Sequence, residues 1–98
     1  MNIQAMMKQA QKLQKEMTDT KNKIDNMEFV GKSSAVTVTV NGKKQILNVK
    51  ITGEEFSNED IEMLEDIVMV AVNDAIKQVV QEIENKMGKY TQGMPGLF

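Results

Sequence analysis

The chain of 98 residues contains no cysteine, no histidine, no tryptophan and no arginine. Without cysteine there is no disulfide framework and no thiol chemistry. Without histidine the commonest general base and the commonest metal ligand are missing, and without tryptophan the best stacking ring. Enzyme functions therefore start at a disadvantage, and the expectation is a protein that is not an enzyme and needs no metal and no cofactor. All twelve basic residues are lysines, so no bidentate guanidinium fork is available for a phosphate or a base edge. No signal peptide and no run of about 18 apolar residues is present, which predicts a soluble cytoplasmic protein that does not enter a membrane.

What the chain does contain fits one domain, residues 1–98, and a domain this short buries only about two thirds of its unfolded surface. Extra burial by dimerisation would help it. The net charge is −2, but residues 1–50 hold nine lysines against four acids (+5) and residues 51–98 hold three against ten (−7). Such asymmetry fits a surface that meets a polyanion, and it fits equally two helices that attract each other.

The longest regular stretch is 57–88. Ile61, Leu64, Ile67, Val68, Ala71, Val72, Ala75, Ile76, Val79, Val80, Ile83 and Met87 recur at steps of three and four, the spacing of a broad apolar helix face. Ser57 with Asp60 predicts an N-cap, acids fill the first turns, and Gly88 predicts the stop. From Ile67 to Val72 the helix is apolar all round, so it is expected to be covered on more than one side, by the chain's own sheet and by a second subunit.

Residues 1–27 predict another helix. Ile3, Ala10, Met17 and Ile24 are seven apart, as are Met6, Leu13, Thr20 and Met27, giving a narrow, soft seam. Away from it Lys8, Lys12 and Lys15 share one face, with Gln4, Gln9, Gln11 and Gln14 nearby. A face of this kind is most often simply solvated. The functional reading is contact with phosphates, where each lysine acts as a mobile point charge, and spacing does not decide between the two.

From Glu28 the period changes from 3.6 to 2, over residues 28–52. Glu28 to Lys32 predicts a short strand broken at Gly31–Ser34, and Val36, Val38 and Val40 alternate with Thr37 and Thr39. Asn41-Gly42 predicts a two-residue type I′ hairpin that pairs Val40 with Lys43, Val38 with Gln45 and Val36 with Leu47. In that register Val36, Val38, Leu47, Val49 and Ile51 share the helix-covering face, while Ile46 joins the polar face. Lys43, Lys44 and Lys50 read as gatekeepers against edge pairing. Glu59, Asp60, Glu62, Glu65 and Asp66 raise a metal site, but one helical turn splays its carboxylates, and the helix dipole accounts for them better. Residues 89–98, with Gly93, Pro95 and Gly96, predict a flexible tail or a docking segment.

Three local patterns in this order resemble the YbaB/EbfC family of bacterial nucleoid-associated proteins. They are Met7-Lys8-Gln9-Ala10-Gln11-Lys12-Leu13-Gln14-Lys15-Glu16-Met17; Val38-Thr39-Val40-Asn41-Gly42 leading into Val49-Lys50-Ile51; and Glu62-Met63-Leu64-Glu65-Asp66-Ile67-Val68, closed by Gly93-Met94-Pro95-Gly96-Leu97-Phe98. The resemblance covers essentially the whole chain. It implies an α+β fold: a long N-terminal helix, a three-stranded antiparallel sheet and a long C-terminal helix, assembled as a homodimer with projecting helical arms. It implies a nucleoid protein that binds double-stranded DNA, has no small-molecule substrate, and helps organise the nucleoid with effects on gene expression. Family DNA contact is attributed to the arms, which carries over to Lys8, Lys12 and Lys15 and to Lys21, Lys23, Lys86 and Lys89. The absence of arginine departs from the family and favours nonspecific phosphate binding over guanine reading. The alternative is a protein-interaction module associated with DNA repair or recombination, with weak or indirect DNA binding through the Met-rich helix and the tail. RNA binding is less favoured, because one Tyr and three Phe provide few stacking platforms.

Overall fold

A computed structural model describes residues 2–53 and 56–91. The order is helix α1 (Ile3–Asp25), strands β1 (Glu28–Ser33), β2 (Val36–Asn41) and β3 (Ile46–Ile51), a single 3-10 turn (Asn58–Asp60), and helix α2 (Ile61–Thr91). This is the expected α+β arrangement. Asn2 caps α1: its Oδ1 accepts from the backbone N–H of Gln4 at 3.1 Å and of Ala5 at 3.4 Å. Ahead of α2 the Asp60 carboxylate accepts from the Ser57 backbone N–H and from its hydroxyl, both at 2.9 Å, and so holds the entry turn closed. Those two bonds hold the Asp60 carboxyl below its ordinary value.

The strands form one antiparallel sheet in the order β1-β2-β3. Gly31 does not break β1. It lies inside the strand, opposite Val38, and a Cβ there would sit 2.2 Å from the Ala71 carbonyl oxygen and 2.6 Å from the Ala75 nitrogen of α2. The glycine is required because the backbones of strand and helix touch. The chain reverses instead at Ser34–Ala35, with Ser34 at φ 50°.

The second hairpin also departs from expectation. Asn41 donates its backbone N–H to Gln45 at 3.0 Å, and Lys44 donates to the Asn41 carbonyl at 3.0 Å, which closes a three-residue loop, Gly42–Lys44. Lys44, not a residue of the Asn-Gly pair, takes positive φ (66°), so this is a turn followed by a left-handed residue rather than type I′. The Asn41 side chain explains the preference: its Oδ1 accepts from the N–H groups of Lys43 and Gln45, and its Nδ2 donates to Gln45 Oε1. A bulge then leaves Leu47 without a directly opposed residue, so Val36 pairs with Ile51, Val38 with Val49 and Val40 with Ile46. The loop starts one residue later and is one residue longer than expected, which shifts the register by three, and the bulge adds one, so at Val36 it moves by four positions, an even number. Val49 and Ile51 therefore stay on the valine face, while Ile46 joins it, correcting its place on the polar face.

Val36, Val38 and Val40 are fully buried against Ala71, Ala75 and Val79 of α2, with Phe29 beside them. Full burial of one such valine stabilises by about 1.5–3 kcal/mol. Alanine at 71 and 75 admits the close approach of β1. α2 passes through Gly88, the expected stop, and continues to Thr91; residues 92–98 of the expected tail lie outside the described residues. A Cβ at Gly88 would meet nothing within 4 Å. The radius of gyration, 19.3 Å, exceeds the ~13 Å of a compact chain this size, and the longest dimension is 71 Å. The excess length comes from the helices projecting beyond the sheet.

Candidate nucleic-acid interface

Every residue from Asn2 to Glu16 of α1 and its cap is exposed, including the apolar Ile3, Met6, Met7 and Leu13. Only from Met17 onward does α1 begin to pack, and Ile24 is its one buried residue. Lys8, Lys12 and Lys15 all stand on the projecting part. With 3.6 residues per turn they point roughly 170° away from the Ile3, Met6, Ala10, Leu13 and Met17 stripe, and from Lys8 to Lys15 they span about 10 Å along the axis. The stripe side is the side on which α2 lies, since Leu13, Gln14 and Met17 line a depression with Lys89 and Tyr90. The three lysines therefore face outward from the helix pair. Asp19, exposed on the same face, marks the end of the run.

The remaining expected site residues divide. Lys21 holds an ion pair with Asp25 at 2.6 Å, with both side chains largely shielded, so its charge is already compensated within the helix. Lys23 and Lys86 come together from different helices, lining one crevice with Thr20, Ile24, Met27 and Glu82. Lys89 lies 4.9 Å from the centroid of the Tyr90 ring, a cation–π contact that steadies the ammonium without neutralising it. The seven lysines are thus an outward row of three, a pair at the helix junction, one ring-supported lysine and one internally paired lysine.

Sequence reading misses what holds the arm in place. The Gly42 backbone lies directly against the end of α1: a Cβ there would be 1.8 Å from the Ile24 carbonyl oxygen and 2.8 Å from Asp25 Cα. Ile24 and Met87 are both fully buried at this shoulder. The signal available in the sequence, glycine after asparagine, points to a turn and hides the contact.

A second feature is an uncovered apolar groove. α2 crosses β1 and β2, and β3 lies beyond its cover. Ile46, Val49 and Ile51 share the face of the buried valines, yet Val49 is 44% exposed and its neighbours similarly so. On the adjacent flank of α2, Met69 is 57% exposed and Val80 is also open, and Val80 and Ile83 border Lys44 of the hairpin loop. On the other flank Gln78 Nε2 donates to the Val30 carbonyl at 2.7 Å, occupying one acceptor of the β1 edge. Among the described residues no helix is long and apolar enough to cross a membrane.

The sequence pattern of the YbaB/EbfC DNA-binding family matches residues 1–94. Among curated relatives, a nucleoid-associated protein of Clostridium kluyveri is 46% identical over 99% of this chain and 89% of its own length. One from Enterococcus faecalis is 42% identical over 97% of this chain and 93% of its own. One from Lactococcus lactis subsp. cremoris is 46% identical, covering 97% and 98% respectively.

Proposed function

The chain belongs to the YbaB/EbfC DNA-binding family, and from that membership we propose that it binds duplex DNA as a homodimer, with low sequence preference, through lysine–phosphate contacts made by α1. The observation that supports this reading best is the outward row Lys8, Lys12 and Lys15, all exposed, on a helix face that none of the described residues is seen to cover. Lysine is suited to a mobile backbone contact and poorly suited to bidentate base reading, so affinity is expected to follow phosphate density rather than sequence. Lys23, Lys86 and Lys89 extend the basic surface toward the junction. Lys21 contributes least, because leaving Asp25 costs it a short ion pair.

The second copy is assigned to the groove between β3 and α2. Ile46, Val49, Ile51, Met69 and Val80 form an apolar surface next to the core, the kind of patch that a monomer of this size rarely leaves in water. Within one chain the acidic start of α2 is separated from the arm by the length of that helix, about 35 Å from Asp66 to Lys89 at 1.5 Å per residue, well beyond one Debye length. Binding to the nucleoid, a part in its organisation and an effect on gene expression follow from coating or bridging duplex. The role is non-enzymatic. The test is a fluorescence-anisotropy titration of labelled duplexes of unrelated sequence at several salt concentrations. It compares the parent with the triple variant Lys8→Glu, Lys12→Glu, Lys15→Glu. Steep salt dependence, tolerance of sequence change and loss of binding in the triple variant are expected. A verified dimer that does not bind at low salt would overturn the reading and leave a protein partner as the target.

A further inference from the structure

The crevice where α1 meets α2 holds chemistry that a duplex contact does not use. It holds about 420 Å³, within the roughly 300–1,000 Å³ of small-molecule sites, and is lined by Thr20, Lys23, Ile24, Met27, Glu82 and Lys86. Glu82 is half-buried, and both lysines are exposed. Glu82 and Lys86 are four apart on α2, and Lys23 borders the same space from α1, yet among the described residues none of the three is ion-paired. Two cations, a carboxylate and an apolar floor are thus gathered in one concavity without compensating one another. We propose that this crevice binds a ribonucleoside diphosphate, with Lys23 and Lys86 on the phosphates, Glu82 on the ribose hydroxyls, and Ile24 and Met27 beneath the base.

Each group suits one part of that ligand. Two ammonium groups brought from different helices match a diphosphate, and the Thr20 hydroxyl, one turn before Lys23, adds a hydrogen-bond donor. Glu82 is the discriminating member. A carboxylate beside the lysines repels a bare phosphate or a duplex backbone, but it accepts from the vicinal hydroxyls of a ribose. Met27, 39% exposed beside the fully buried Ile24, offers a polarisable thioether to an aromatic ring. Inorganic phosphate would leave both the floor and the carboxylate unused. The walls are also fixed in advance. Ile24 and Met87 are fully buried, and the Gly42 backbone lies against the last turn of α1, so little ordering is needed on binding.

The site does not depend on DNA, and its test is run without it. Amide shifts of the labelled full-length protein are followed by NMR during titration with ADP, 2′-deoxy-ADP, adenosine and pyrophosphate. ADP is expected to shift residues 20–27 and 82–87 saturably, with adenosine and pyrophosphate each weaker by about tenfold or more. Lys23→Gln and Lys86→Gln should each weaken ADP about tenfold, and a preference for ADP over 2′-deoxy-ADP should disappear in Glu82→Ala. The ligand series on the unmodified protein decides the matter even if a variant melts early. No shift of these residues at millimolar ADP overturns the proposal. So does equal binding of pyrophosphate and ADP, which marks a simple anion site, and so do shifts centred on residues 8–15. The triple variant Lys8→Glu, Lys12→Glu, Lys15→Glu should bind ADP as the parent does, so failure of DNA binding and failure of the crevice are read separately.

Discussion

Replacing Gly42 by alanine tests how the arm is mounted. Gly42 is not among the residues at positive φ, so alanine meets no backbone objection there. The objection is spatial: the new Cβ would lie 1.8 Å from the Ile24 carbonyl oxygen and 2.4 Å from its carbon. Ordinary contact begins near 3.4 Å, so the last turn of α1 or the hairpin loop must retreat by roughly 1.5 Å. Both neighbours are backbone, and no rotamer change relieves them. Overpacking of this kind costs about 1–3 kcal/mol, and the upper half of that range is expected here. For a domain of this size each kcal/mol moves Tm by about 4–8 °C, which gives a fall of about 8–24 °C by circular dichroism. The measurement is made at fixed protomer concentration, since the proposed dimerisation would shift Tm by mass action. Gly88→Ala is the internal comparison: the added Cβ would meet nothing within 4 Å outside its own helix backbone and the position is inside α2, so a gain of about 0.5–1 kcal/mol is expected. A Gly42→Ala protein that melts within about 2 °C of the parent would refute the close approach of hairpin and arm.

Other perturbations separate stability, assembly and binding. Met87→Ala removes a fully buried side chain at the shoulder and is expected to cost about 2–5 kcal/mol, read as a lower urea midpoint with little change in slope. The depressed Asp60 carboxyl adds stability that is present above its unfolded value of 3.8 and is lost as pH falls through the lower folded value. The Tm gap between the parent and Asp60→Asn should accordingly be constant from pH 7 to 5 and shrink in more acid solution; a gap that widens there contradicts the assignment. If the proposed dimer forms through β3, Val49→Lys on its open face should leave the monomer folded and halve the mass seen by light scattering; an unchanged mass would count against that interface. For DNA, Lys12→Ala should make the slope of log K against log salt shallower by about one for each arm engaged, and Lys21→Ala by much less. Equal effects at the two positions would count against the outward row.

Much of this molecule is written in its periodicities. Steps of three and four over Ile61–Met87, the alternation of Val36, Val38 and Val40, and the lysine spacing at 8, 12 and 15 each follow from local geometry, so they determine helix, strand and basic face without reference to the rest of the chain. The tertiary structure decided what local signals leave degenerate. Asn41-Gly42 is compatible with several loops, and the register was set by side-chain bonds from Asn41, the left-handed Lys44 and the bulge at Leu47. Gly31 and Gly42 look like breakers because a sequence does not show that another backbone lies against them. Gly88 looks like a stop, yet α2 continues through it to Thr91, because one glycine costs a helix only about 1 kcal/mol. The fate of the lysines was partly a tertiary matter: Lys21 pairs with Asp25 inside α1 itself, but which lysines face outward from the helix pair and which meet at the junction is fixed only when α1 is laid against α2. Local propensity and i,i+4 ion pairs depend on neighbours within a turn or two, whereas the close approach of two backbones depends on elements brought together across the fold.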